Sequence, residues 1–196
     1  SGYDIDQSLR LYPGYLSKTF ASAGDLDKWT VSFWLKNNGG KTSGENGLNG
    51  ILYSQADNND KTAIWNHGGG GPTIWNMYAG ATTNGYLEPL GVIRDPAAWY
   101  HYVIVYDSGN STEADRLRTY KNGVRLTEFN SPVYPPINTD SYINKAAAHY
   151  IGYYLSESGT QYHPECYLAE YHFIDGQALT QASFGETDAD TNQWKP

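Results

Sequence analysis

The chain has 196 residues, with 21 Asp and Glu against 13 Lys and Arg for a formal charge of −8, and 15% of its residues are aromatic. This length can bury a sizeable core in one domain without covalent staples, and the negative charge repels phosphate backbones and anionic lipid headgroups, so nucleic acid is not an expected partner. The single cysteine, Cys166, excludes an internal disulfide and a Cys-based metal cluster. No apolar run reaches bilayer-spanning length, so no membrane insertion is expected, and no signal-peptide pattern opens the sequence.

Residues 8–12 and 15–18 are short strand candidates around the turn dipeptide Pro13-Gly14, placed as an edge hairpin or a corner between sheets. Residues 29–36 (WTVSFWLK) alternate Val31, Phe33 and Leu35 with Thr30, Ser32 and Trp34, and Trp34 points to cover on both faces. A Gly- and Asn-rich loop follows over 37–49, then a brief central strand at 51–54. Residues 63–65 and 73–78 read as two strands joined by Asn66, His67 and four consecutive glycines, 68–71. A phosphate cradle is rejected there, because Pro72 leads into another aromatic strand and no helix follows.

The clearest stretch is 99–126, where apolar, β-branched and aromatic runs flank a polar loop and then Lys121-Asn122-Gly123. Asn-Gly supplies the positive φ angles of a tight hairpin, so three successive antiparallel strands are expected. Residues 131–144, with three prolines, read as an irregular crossing between sheets, and 149–154 and 165–174 as the last strands. One helical turn is expected at 180–184 with Thr180 as N-cap. These signals predict an all-β fold: an antiparallel two-sheet β-sandwich (jelly roll) with one short C-terminal helical turn. Residues 1–185 form the domain, and the acidic 186–196 reads as a linker-like tail leaving it.

With those segments placed, the chain resembles the concanavalin A-like lectin and glucanase superfamily, in its laminin-G-like, pentraxin-like branch. The resemblance is carried by WTVSFWLK (29–36), WYHYVIVYD (99–107), LRTYKNG (117–123) and LAEYHFIDGQALT (168–180). Within these motifs Trp99, Tyr100, Val103 and Val105 are expected to fill the core, and Tyr171, Phe173 and Leu179 to close the sandwich. The closing run 167–196, with FGETDAD and WKP, is similar to a version found in bacteriophage tail-fibre and other virion-associated proteins. That resemblance implies a module of a longer chain in a virion or extracellular setting. Its implied role is binding a host glycan or another cell-surface ligand, with other virion proteins as partners and oligomers formed through the parent chain.

Glycoside-cleaving relatives carry carboxylates at alternate positions of one strand, because acid and nucleophile must face the same sugar. Here Glu165 and Glu170 are an odd number apart, on opposite faces of a regular strand, so no catalytic residues are assigned and the chain is expected not to be an enzyme. Five scattered histidines lack paired metal-ligand spacing. No cofactor is expected beyond a possible calcium ion, for which Asp107, Asn110 and Asp115 are the weak candidates, with Asn138, Asp140, Asp25 and Asp27 as further oxygens. For ligand binding the preferred set is Trp65, Trp75 and Tyr78 as stacking faces with Asn66, His67 and Asn76 as directional partners, against the alternative that these aromatics face inward. Tyr153, Tyr154 and Tyr162 form a second candidate surface.

Overall fold

The structure, a computed structural model, describes residues 5–11, 14–37, 48–57, 60–67, 72–77, 83–91, 93, 95, 97–155 and 159–196. Its strands in chain order are β1 (Leu9–Leu11), β2 (Leu16–Thr19), β3 (Lys28–Asn37), β4 (Leu48–Gln55), β5 (Lys61–His67), β6 (Pro72–Met77), β7 (Thr83–Leu87) and β8 (Tyr100–Asp107). They continue with β9 (Leu117–Lys121), β10 (Val124–Arg125), β11 (Ala148–Ile151), β12 (Tyr154–Leu155), β13 (Gln161–Tyr162), β14 (Cys166–Asp175), β15 (Glu186–Thr187) and β16 (Trp194–Lys195). Among the described residues these build two six-stranded antiparallel sheets, ordered β1-β14-β3-β8-β9-β10 and β2-β11-β4-β5-β6-β7. β1 and β2 lie in different sheets, so these two short strands do not pair as an edge hairpin.

Alternation decides what fills the space between the sheets. Val31, Phe33 and Leu35 of β3, Tyr102, Ile104 and Tyr106 of β8, and Leu168 of β14 meet Leu52, Ile64, Ile74 and Leu87 of the second sheet. Trp29 lies fully buried in the same core, stacked on Tyr106 at 5.5 Å, with its indole N–H donated to Ser141 Oγ at 2.8 Å. Tyr171 and Phe173 pack against this core as expected. Val103 and Val105 are buried too, but on the opposite face of β8, under Ala178 and Phe184. Trp99 and Tyr100 are half-buried, with Tyr100 packed against this core, so on β8 the central core is built by Tyr102, Ile104 and Tyr106. Cys166 is buried and its thiol is pushed up to about 12 by desolvation, a small apolar core residue and not a reactive one.

The hairpin tip forms as its sequence dictates, with Asn122 and Gly123 both at positive φ, 47° and 79°. The expected helical turn is a single 3₁₀ turn, Gln181–Ser183, and Thr180 stands before it without a side-chain cap bond. The largest departure from expectation is at 186–196. Instead of running away as a linker, the segment pairs β15 with β16 and lies on the outer face of the first sheet. There Trp194 stacks on His101 at 5.8 Å and donates its indole N–H to His101 Nδ1 at 2.9 Å. Its ring fills the space where a side chain on Gly123 would stand, so the hairpin glycine serves both the turn and the docked tryptophan. The tail looked linker-like because its polar residues hide the one aromatic contact that anchors it.

His101 is nearly inaccessible, and burial, helped by neighbouring His172, pushes its pKa down to about 4 from 6.5. An indole N–H can only donate, so Nδ1 carries no proton, and Nε2–H faces Ser32 Oγ at 2.8 Å. A histidine held neutral stabilises the fold above its unfolded pKa, and that stability drains as pH falls from 6.5 toward 4. Between neutral pH and pH 5 this one group removes about 2 kcal/mol of unfolding free energy, measured by urea titration, and His101→Gln flattens most of that slope. The remainder follows His149, whose pKa burial also lowers. Gly123→Ala costs about 2 kcal/mol, from backbone strain and a displaced Trp194, and speeds amide exchange across 186–195 in hydrogen-exchange measurements.

Candidate functional site

The outer face of the second sheet is aromatic because alternate residues of neighbouring strands place Tyr150, Tyr53, Ala63 and Trp65 there together. The β12–β13 segment crosses this face as a strap. Gly152 N donates to Gly50 O at 2.9 Å, and a side chain on Gly50 would collide with the Tyr153 backbone, so this glycine lets the strap lie close. Beneath the strap Tyr53 packs on Tyr154 at 5.0 Å and donates to Leu155 O at 3.2 Å. Desolvation, with the crowding of neighbouring tyrosines, raises the Tyr53 hydroxyl far above its ordinary range, so it stays neutral.

At the edge of this layer the rings reach solvent. Tyr15, at 48% exposure, lies 5.2 Å from Tyr153 and stacks on His163 at 5.9 Å, while Tyr150 sits 4.9 Å from Tyr153. His163 Nδ1 donates to Gly152 O at 3.2 Å, which leaves Nε2 as its remaining hydrogen-bonding atom. The result is a crest of aromatic faces, phenolic hydroxyls and one imidazole, held by strands on one side and the strap on the other. Such a set offers stacking surface with directional hydrogen bonds and little loss of side-chain entropy. By contrast, the cavity of about 280 Å³ between the sheets is lined by Leu16, Phe20, Leu52, Ile143 and Phe173, with almost nothing to orient a polar ligand.

The structure treats the expected ligand residues unequally. Trp65 is 6% exposed and packs 5.6 Å from Tyr154, so it supports the layer and offers no stacking face. Asn66 and His67 end β5 and Trp75 and Asn76 lie in β6, with Trp75 paired to Ala63 and Tyr86, but their side chains lie outside the described residues, as does all of Tyr78. The four-glycine loop also lies outside them. Of the second surface, Tyr154 is buried, while Tyr153 and Tyr162 are half-buried. Sequence reasoning missed Tyr15, Tyr150 and His163 at the crest. The signal for the two tyrosines was present only as aromatic residues near Pro13-Gly14 and on the strand at 149–154; pairing of β2 with β11 brings Tyr15 and Tyr150 together across a long sequence gap, and Gly152 O holds His163 beside them.

The calcium candidates are engaged elsewhere. Asp107 faces Lys28 at 3.8 Å and Arg118 at 3.7 Å and accepts from Asn110 Nδ2 at 3.2 Å, while Asp115 pairs with Arg125 at 2.7 Å. Asn110 Oδ1 accepts from Thr112 N at 2.9 Å. Asp27 and Asp140 do come together, and burial followed by the Asp140 carboxyl raises the pKa of Asp27. Asp25 Oδ1 caps the turn by accepting from Asp27 N at 2.9 Å, and Asn138 adopts a positive φ of 57°. Among the described residues no three His, Cys, Asp or Glu side chains are placed to hold a metal ion.

Two arrangements bear on catalysis. Glu170 sits at positive φ on a β-bulge between Ala169 and His172, so strict alternation fails there, and its carboxylate lies 3.7 Å from His172 Nε2. The Ser32–His101 pair has the distance of a nucleophile and base, but with Nδ1 accepting from Trp194 the imidazole presents a proton to Ser32, not a lone pair.

Among solved structures the fold is similar to the heptameric SAP-like pentraxin of Limulus polyphemus, at 16% identity and a TM-score of 0.54 over 93% of this chain and 76% of that one. It is also similar to domain 4 of the extracellular arabinanase AbnA of Geobacillus stearothermophilus in complex with arabinotriose, at 16% identity and 0.53 over 89% and 68%. A third is the CBM40 of the Ruminococcus gnavus IT-sialidase bound to α2,3-sialyllactose, at 14% identity and 0.52 over 86% and 95%. Nothing among curated protein sequences matches the chain. The Laminin_G_3 family profile matches residues 14–164, most of the sandwich just described, and the chain belongs to the concanavalin A-like lectin/glucanase superfamily.

Proposed function

We propose that this domain is a non-catalytic recognition module that binds a glycan on a host surface, as part of a phage tail fibre or similar virion appendage. The single observation behind the glycan reading is the solvent-facing crest of Tyr15, Tyr150, Tyr153 and His163. Pyranose rings present an apolar C–H face and a rim of hydroxyls, and the crest offers the complement of both: ring faces beside phenolic and imidazole hydrogen-bonding groups. The two carbohydrate-bound neighbours lend support, since they hold arabinotriose and sialyllactose on the same kind of fold. The virion setting rests on the likeness of the 167–196 run to tail-fibre proteins.

A platform of this kind binds through stacked area. Removing one exposed ring forfeits about 1 kcal/mol and weakens binding about five- to tenfold. Tyr15→Ala and Tyr153→Ala are each expected to show that loss on an array of host-derived glycans, followed by calorimetry on the best binder, with unchanged thermal stability for the exposed Tyr15 variant. No binding by the unsubstituted domain to any array glycan or to whole host cells overturns the reading and leaves a structural, protein-contacting module in its place. Release of reducing ends from host polysaccharide overturns the non-catalytic part.

A further inference from the structure

We infer that the cleft between the C-terminal hairpin and the outer face of the first sheet is a second carbohydrate site, suited to an uncharged sugar. It shares a ligand class with the crest but none of its residues, and it lies on the opposite sheet. The open cleft of about 870 Å³ is lined by Trp34, Trp99 and Trp194 together with Asn122, Asn192 and Gln193. Three of the chain's six tryptophans thus meet in one depression beside three neutral amides.

The bonding state of these residues points to a ligand. Trp34, which lines the cleft, is 6% exposed, and among the described residues its buried indole N–H has no hydrogen-bond partner, a costly arrangement. Trp99 and Trp194 are half-buried and Asn192 and Gln193 exposed, so ring faces and amides border the same space. Asn122 Oδ1 is committed to the His101 backbone N–H at 2.8 Å, which orients the amide and leaves its NH₂ as a donor. The side chains of Asn192 and Gln193 make no hydrogen bond to another described residue.

Charge selects the class of sugar. The cation in the lining, Lys195, bonds to Asp188 at 3.1 Å and pairs with Glu186 at 3.3 Å, so its charge is already balanced. In a domain of formal charge −8, the cleft holds no uncompensated cation among the described residues for a carboxylated sugar. Amides and indoles instead match hydroxyl and acetamido groups. The hairpin that walls the cleft lies beyond residues 14–164, outside the part of the chain that matches the family.

The test is a heteronuclear NMR titration of the whole domain with cellotetraose, mannotriose and chitotriose at millimolar concentration, with 3′-sialyllactose as the anionic control. At least one neutral probe is expected to move the Trp34 and Trp194 indole N–H signals. Trp99→Ala and Gln193→Ala are each expected to weaken that binding about tenfold, while Tyr15→Ala and Tyr153→Ala leave it unchanged. Gln193 is exposed, so its substitution tests the site even if Trp99→Ala unfolds the domain. Indole signals that stay still with all three neutral probes, shifts that Gln193→Ala leaves at undiminished affinity, or shifts with sialyllactose alone overturn the inference. Failure of the crest variants to affect array binding bears on the other site only.

Discussion

The fold depends on one constraint: strands β3 and β8 at its centre carry large side chains on both faces. Phe33, Tyr102 and Ile104 face the space between the sheets, while Trp34, His101, Val103 and Val105 face away from it. A two-layer sandwich covers only the first set. The second set has to be covered by chain that belongs to neither sheet, and here that chain is the C-terminal run, with Ala178 and Phe184 over the valines and Trp194 over His101. The opposite sheet solves the same problem with the β12–β13 strap over Tyr53 and Trp65. The molecule is therefore a sandwich with an added partial layer on each outer face, and each layer creates an edge where aromatic rings approach solvent.

This arrangement explains which features could be read from the sequence. Period-two patterning in 29–36 and the Asn122-Gly123 turn are local, so the central strands and their hairpin were legible without coordinates. The aromatic residue Trp34 announced that a second face was covered. What covered it was not legible, because the cover is made by contacts about ninety residues apart, as between Trp194 and His101. Local composition pulled the other way, and an acidic, Asp- and Thr-rich tail looks the same whether it leaves a domain or returns to it. Val103 and Val105 were assigned to the central core for a related reason: alternation separates two faces but does not say which one is the inside when both are apolar.

The candidate sites show the same division. Trp65 and Tyr154 looked like binding aromatics in sequence and are interior to the strap layer, whereas Tyr15 and His163, unremarkable in sequence, meet at its edge. Whether a tyrosine is buried or reaches solvent follows from the ladder register, since Tyr150 lies beside Tyr53 and Ser17 across two different pairings. The acidic loop at 107–115 shows equally specific pairing. Lys28 and Arg118 face Asp107 and Arg125 pairs with Asp115, all from neighbouring strands.

The two outer layers also differ in what holds them, and this sets how each can respond to its surroundings. The tyrosine crest is fastened by backbone pairing of β2, β11 and β4 and by the strap, which holds His163 through Gly152 O. The hairpin that walls the tryptophan cleft hangs on a two-residue β15–β16 ladder, the Lys195 ion pairs and an indole bond to an unprotonated imidazole. A short ladder with few buried contacts opens at low free-energy cost, and the imidazole bond fails on protonation. Acid therefore loosens the hairpin through His101, while His149 on β11, which accepts from Asn144 N at 2.8 Å, gives the opposite sheet its own sensitivity to acid. Local opening at the hairpin would also uncover Trp34, so the cleft's accessibility and its stability are governed by the same tryptophan–histidine contact.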